Sequence, residues 1–439
     1  MATLSAPEPR SAPIAERQPT DWTTGAMQGR IAARYRAERN FRRLGVLALV
    51  IAASFLAFLL FTIVRDGASG FLRTEVRLDV TFDAGTLGVD PAAVAGPNGQ
   101  TVLARADYTA LMLKASEQLG PANDMLSDAA WLELRDALQA DPALLGKRAR
   151  LWVPVRSQID LLAKGKYDLS APADSRGVSD REVADWKWLD SRNLLRTGFN
   201  SAFITGADST EPELAGIGGA AIGSLLTVLV TIAIAFPLGV LSAVWLEEFA
   251  PRGRMADIIE LSINNLAAVP SIIFGLLGLA FFLNFAGMPR SAPLVGGITL
   301  ALMIMPVIVI ASRVAIKAVP PSIRDAALGI GASPIQVVFH HVLPLSLPGI
   351  MTGTIIGIAR ALGETAPLLL IGMRAFVTDV PQGFTAPATV LPMQVFLWSD
   401  DVQRGFVEKT SAAIIVLLLV LITMNSLAIY LRNRFERRW

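Results

Sequence analysis

Cysteine is absent from the chain, and histidine occurs only twice, at His340 and His341. Without thiols there can be no disulfides, iron–sulfur clusters or thiolate zinc sites. Two adjacent histidines are a poor basis for a metal centre. Charge is scarce as well: 17% of the residues are Asp, Glu, Lys or Arg, against about a quarter in soluble domains. No G-x-x-x-x-G-K-[ST] phosphate loop occurs, which excludes ATP hydrolysis by that route on this chain. The net charge of +2 makes no case for nucleic acid. What the chain has in quantity is apolar side chains, 53% of the total, which points to bilayer-buried segments.

A helix needs about 20 apolar residues to cross a bilayer. Six runs meet this: 44–64, 214–246, 261–289, 291–312, 349–373 and 410–431. The alternative for such a run is a buried core helix, and six of this length argue against it. The 43 residues before the first run hold eight Arg, with Arg34, Arg36, Arg39, Arg42 and Arg43 clustered, against four acidic residues. After the last run come Arg432, Arg434, Arg437 and Arg438 against Glu436. The positive-inside rule then places both termini in the cytoplasm, together with Arg313, Lys317 and Arg324. Residues 65–213, with 17 basic and 22 acidic side chains, fall outside. The first run is too long for a signal h-region and lacks a small-residue cleavage site, so it reads as an uncleaved anchor. The sum is a multi-pass protein of a bacterial inner membrane, surrounded by lipid.

The segments follow: a basic N-terminus at 1–43, the first span at 44–64, a soluble insert at 65–213, five further spans over 214–432, and a tail at 433–439. Residues 1–30, rich in Ala, Pro and Ser, read as disordered. Within the insert, strict alternation over 75–82 puts Val76, Leu78, Val80 and Phe82 on one face of a strand. Helices are expected over 107–119, closed by Gly120, over 127–140, and over 179–195. This predicts a small α+β unit. It has no histidine or cysteine to build a nucleophile–base pair, its carboxylates read as a solvated surface, and excising about 72–205 is expected to leave the membrane part intact.

The stretch 319–350, VPPSIRDAALGIGASPIQVVFHHVLPLSLPGI, lies inside, just before the fifth span. Asp325, Ala326 and Ala327 are followed by Gly331 and by Leu343-Pro344. Small Ala326, Ala327 and Gly331 suit close approach of two elements, Asp325 suits a basic partner, and Pro344 is a helix stop. This pattern resembles the EAA signature of ABC importer permeases, with Asp in place of the usual Glu. The resemblance makes 319–348 the loop, Arg324 included, that seats in a cleft of the ATPase subunit. His340 and His341 read as surface residues.

Four further strings, ARALGETAPLLLIG (359–372), NNLAAVPSIIFGLLGL (264–279), FPLGVLSAVWLEEFAP (236–251) and LPMQVFLW (391–398), resemble phosphate ABC transporter permeases of the PstA type. The likeness runs from about 217 to 431, and the insert resembles an N-terminal extension of uncharacterised function in a longer subgroup. It implies an all-α polytopic fold of the MetI-like importer type, with six transmembrane helices around the α+β insert. It further implies a homologous second permease, two ATP-binding subunits that hold ATP and magnesium, and a periplasmic phosphate-binding protein. No cofactor is expected on this chain itself.

Arg360 and Glu364 are the only charges inside a span and are spaced i, i+4. Each costs about 2.5–3.5 kcal/mol at mid-bilayer, so both must face protein, each other or a watery path. A planar Arg fork matches oxyanion oxygens; a structural ion pair is the alternative. Asn264 and Asn265, with Pro270 and Ser271, mark polar points in the third span, for interhelix hydrogen bonds or for the path. Glu247 and Glu248 read as interfacial. Other readings are a permease for sulfate or molybdate, a membrane sensor with a ligand-binding ectodomain, and, more weakly, a membrane-anchored hydrolase.

Overall fold

The computed structural model describes residues 22–251 and 253–435. The disorder expected at 1–30 lies outside the described residues as far as 21. From Gly25 onward it is replaced by helix, because α1 covers Gly25–Gly67 without a break. The tail residues Glu436, Arg437 and Arg438 also lie outside.

The chain leaves α1 through a single 3-10 turn and enters strand β1, Leu72–Thr81. Val76, Leu78 and Val80 are fully buried on one face, with Phe82 just beyond. Helix α2, Tyr108–Ser116, starts at the Asp107 cap, whose carboxylate accepts from the Ala110 amide. Helix α3 covers Trp131–Ala140. Ser127 does not cap it; that side chain is buried, and the first turn begins four residues later. Strand β2, Arg148–Pro154, was not expected. Helix α4, Ser157–Ala163, precedes α5, Asp180–Ser191, which opens on a capping box formed by Ser179 and Glu182. Strand β3, Leu195–Phe199, takes the end of what the sequence reads as helix. Both β2 and β3 pair antiparallel with β1, giving the order β2-β1-β3. Central β1 carries the legible alternation, whereas the two edge strands alternate weakly.

The insert is joined to the membrane part by buried charge, and two of its carboxylates depart from the solvated surface that the others form. Asp160 and Glu213 are buried. Lys164 donates to Asp160 Oδ2 at 2.6 Å, to Glu408 Oε1 at 2.7 Å and to the Leu72 carbonyl at 2.8 Å. Lys409 Nζ reaches the Gly70 carbonyl at 3.0 Å and sits 5.1 Å from the Phe203 ring centre.

The remaining spans begin with α6, Gly218–Val244, which ends in a π turn, Trp245–Phe249. The run 261–289 is not one straight helix. It is α7, Arg254–Ala267, and α8, Ser271–Leu277, continued to Phe285 and bent by 101° at the break. Pro270 caps α8 with extended backbone, and the residue before a proline is itself pushed out of the helical region. Helix α9 is Pro293–Lys317 and α10 is Pro321–Gly329. Helix α11, Leu343–Gly363, is followed by α12, Ala366–Leu370, α13, Leu391–Ser399, and α14, Gly405–Phe435. Among the described residues, five helices are long and apolar enough to span a bilayer, and six if the bent pair is one span.

Helix α9 lies between α6 and α11 at distances only small residues allow. A Cβ on Gly297 would stand 2.4 Å from the Val230 side chain, and one on Gly353 2.1 Å from that of Ala311. With lipid as solvent, such close backbone packing and hydrogen bonds, here Thr231 Oγ1 to the Gly297 carbonyl at 3.2 Å, hold helices together.

Candidate functional site

The loop between α9 and α11 is a helix–turn–helix. Val319-Pro320 halts α9, and Pro321 opens α10 at a position where a missing amide costs nothing. Ala327 is buried against the core. Asp325 and Ala326 are exposed, as are Leu328, Ile330 and Ile335 of the same loop. Ile330 is 84% exposed. One carboxylate among exposed aliphatic side chains is a surface suited to a partner.

Two expectations for this loop change. Gly331 has φ of +90° and open space where a Cβ would stand. Its hydrogen side chain serves the left-handed turn after α10 rather than close approach within the chain. Pro344 stops nothing. Helix runs from Pro334 to Gly363, and the π turn Val338–Val342 directly precedes Leu343-Pro344 and takes up the missing amide. His340 is exposed and His341 half-buried on that turn.

Arg324 points away from Asp325. Its Nη2 meets Glu248 Oε1 at 2.6 Å, and its remaining donors reach the Val319 and Ile316 carbonyls at 2.7 and 3.0 Å. Beside it, Arg313 joins Glu247 at 2.5 Å and Glu260 at 2.7 Å. Glu247 and Glu248, which read as interfacial, are therefore bonded to the loop and its neighbours. Their direction was not visible in sequence.

In the fifth span α11 ends at Gly363, and Glu364 is its cap with extended backbone, φ −80° and ψ 126°. The i, i+4 pair is thus at a helix end and not within a continuous helix. Arg360 Nε and Glu364 Oε1 are 3.4 Å apart, and the Arg360 side chain is 48% exposed. Most of its five donors are left for another ligand. Asn264, Asn265 and Ser271 flank the 101° break, the two amides exposed and Ser271 half-buried. Helices α8 and α12 touch closely, since a Cβ on Gly275 would lie 2.7 Å from Pro367 Cα. Among the described residues no hydrogen bond links the Arg360–Glu364 pair to the Asn264–Ser271 group.

Long apolar helices, a sharply bent helix pair and an exposed helix–turn–helix loop are the features of a polytopic membrane protein. Residues 235–439 match the family described as binding-protein-dependent transport system inner membrane component, and 28–173 match a domain of unknown function, DUF3333. The phosphate transport system permease protein PstA 1 of Mycobacterium tuberculosis is 32% identical over 226 residues, 51% of this chain and 72% of the relative. A probable ABC transporter permease protein, YqgI of Bacillus subtilis, is 30% identical over 267 residues, 58% and 88% of the two chains. A chain of the MetNI methionine ABC transporter overlays at a TM-score of 0.40 with 18% identity, covering 49% of this chain and 95% of its own, too loose to bear an argument. The chain belongs to the binding-protein-dependent transport inner-membrane components, as a permease of the PstA type. It is a multi-pass inner-membrane subunit of an ABC importer.

Proposed function

We propose that this subunit imports inorganic phosphate, with ATP and magnesium bound and ATP hydrolysed by two partner ATPase subunits. A homologous second permease completes the path, and a periplasmic phosphate-binding protein delivers the ion. Both termini lie in the cytoplasm and the insert outside, an orientation supported by the arginine-rich ends. The observation that carries the substrate is the 32% identity to the phosphate permease across 72% of that relative. Half-exposed Arg360, with donors to spare beside Glu364, supplies chemistry suited to an oxyanion. Asn264, Asn265 and Ser271 at the break complete the proposed path.

The loop 319–348 is proposed to seat in the ATPase. Asp325 and Ala326 present the contact, Ala327 anchors it, Gly331 shapes its turn, and Pro344 lies within the Pro334–Gly363 helix that carries motion into the membrane. The test is ATP-dependent uptake of labelled phosphate by the reconstituted complex with sulfate as competitor. Uptake that sulfate suppresses as well as unlabelled phosphate does would move the assignment to another oxyanion.

A further inference from the structure

Four elements meet around two consecutive carboxylates. The π turn that ends α6 places Glu247 and Glu248 side by side. Glu248 receives the Arg324 guanidinium of α10 through both Nη2 and Nε, at 2.6 and 3.1 Å on one oxygen, with Nε also 3.3 Å from the other. The same guanidinium donates to Val319 and Ile316 carbonyls at the end of α9. Glu247 receives Arg313 of α9, whose second nitrogen reaches Glu260 of α7, and Lys317 lies 3.4 Å from Glu247.

We propose that Arg324 is a positioning residue, a latch that fastens the coupling helix α10 to the ends of α6 and α9, and not a contact for the ATPase. The inference rests on 319–348 being the coupling loop. Arg324 uses Nε, Nη1 and Nη2 inside the chain and is largely covered, whereas its neighbours Asp325 and Ala326 face outward. A planar fork held at several atoms fixes direction as well as distance, which a lysine cannot do. Displacement of α10 is thereby passed through Glu248 to α6. Through the adjoining Glu247–Arg313–Glu260 chain it reaches α7, the arm of the bent span that carries Asn264 and Asn265.

The experiment uses the complete importer reconstituted with R324E, E248R, the double reversal and R324K. ATPase co-purification, hydrolysis stimulated by the loaded binding protein, and uptake per inserted complex are measured. The single reversals are expected to retain the ATPase yet lose stimulation roughly tenfold, as one partner of a covered ion pair is left unmatched. The double reversal should recover part of the loss, the mark of direct coupling, although a glutamate at 324 cannot donate to the Val319 and Ile316 carbonyls, and R324K should retain more. Loss of ATPase binding in R324E that E248R does not repair places Arg324 at the subunit interface and overturns the latch. Wild-type stimulation in every variant overturns it too, as does a loss explained wholly by membrane abundance. Because the chain has no cysteine, one thiol at exposed Ile330 can carry a spin label; R324Q should raise its mobility, and unchanged mobility counts against the latch. Hydrolysis is read separately from uptake, so a complex that refuses phosphate sinks the substrate reading and leaves this comparison standing.

Discussion

Lys164 in the insert and Glu408 in the first turn of α14 lie 2.7 Å apart, their side chains 3% and 5% exposed, although 244 residues separate them. All three Lys164 donors are in use, on Glu408, Asp160 and the Leu72 carbonyl. Removing one partner of such a buried pair costs about 3–5 kcal/mol, because the other charge is stranded. K164M and E408Q should each lower the melting temperature of the purified protein and its membrane level. Unchanged melting in both variants would show the pair to be energetically neutral.

The same contact bears on the insert as a whole. Excising about 72–205 takes away Asp160 and Lys164 while leaving Glu408 and Lys409 at the uncovered end of α14. This buried contact argues against the separable module suggested by composition. The excised chain should accumulate in membranes several-fold less and run as aggregate in detergent, the usual fate of stranded charge. Size-exclusion chromatography checks this, and a monodisperse excised chain at normal abundance would restore the modular view.

Gly331 separates strain from contact. At φ +90° any side chain costs about 1–2 kcal/mol, and open space lies where a Cβ would point. G331A and G331L should thus destabilise the isolated subunit to a similar, modest degree. If Leu matches Ala in melting temperature but is far worse in ATPase association, close approach to the partner governs this position instead.

For Arg360, the half-exposed pair with Glu364 predicts small stability effects, within about 1 kcal/mol, and large transport effects. R360K should impair uptake through loss of the fork, and R360Q should abolish it with the subunit still assembled. Full uptake by the swapped R360E/E364R chain would leave the pair a scaffold role only.

Glu213 is 2% exposed and neither carboxylate oxygen has a hydrogen-bond partner among the described residues. Burial pushes its carboxyl above the usual carboxylate value. The folded state then favours the protonated form. Its stability is unaffected below the ordinary carboxylate range and falls as pH rises through the raised value. E213Q should remove that fall, so its advantage in melting temperature should widen from acid to neutral pH. A gap that narrows over that range contradicts this account.

The spans were legible because hydropathy alone separates them, and β1 because its residues from Val76 to Phe82 alternate without exception. The helix start expected at 179 was legible for the same local reason, and the structure places the Ser179–Glu182 capping box there. The bend at 268–270 was not, since a hydropathy run ignores a single Val269-Pro270 step inside it. Glu408 and Lys409 sit just before the apolar run of α14, and their partners Lys164 and Gly70 come from far along the chain. Local pattern cannot pair them. Arg324 illustrates the remaining gap. Its presence beside Asp325 is plain in the sequence, but adjacent helical residues diverge by about 100° around the axis, as 3.6 residues per turn require, and only packing shows which one turns inward.

The bend between α7 and α8 also constrains solvent. A helix that restarts at Ser271 after Pro270 leaves its first amides without intrahelical partners. Acyl chains cannot satisfy such groups, so non-helical backbone at bilayer depth must abut protein or line an aqueous space. Where the bent pair crosses the bilayer, residues 268–271 therefore mark a place from which hydrocarbon is shut out. A fluorescent probe placed there should report water or neighbouring protein, with the emission of a lipid-facing site found instead along Leu419 and Ile422 of α14, both of which are exposed.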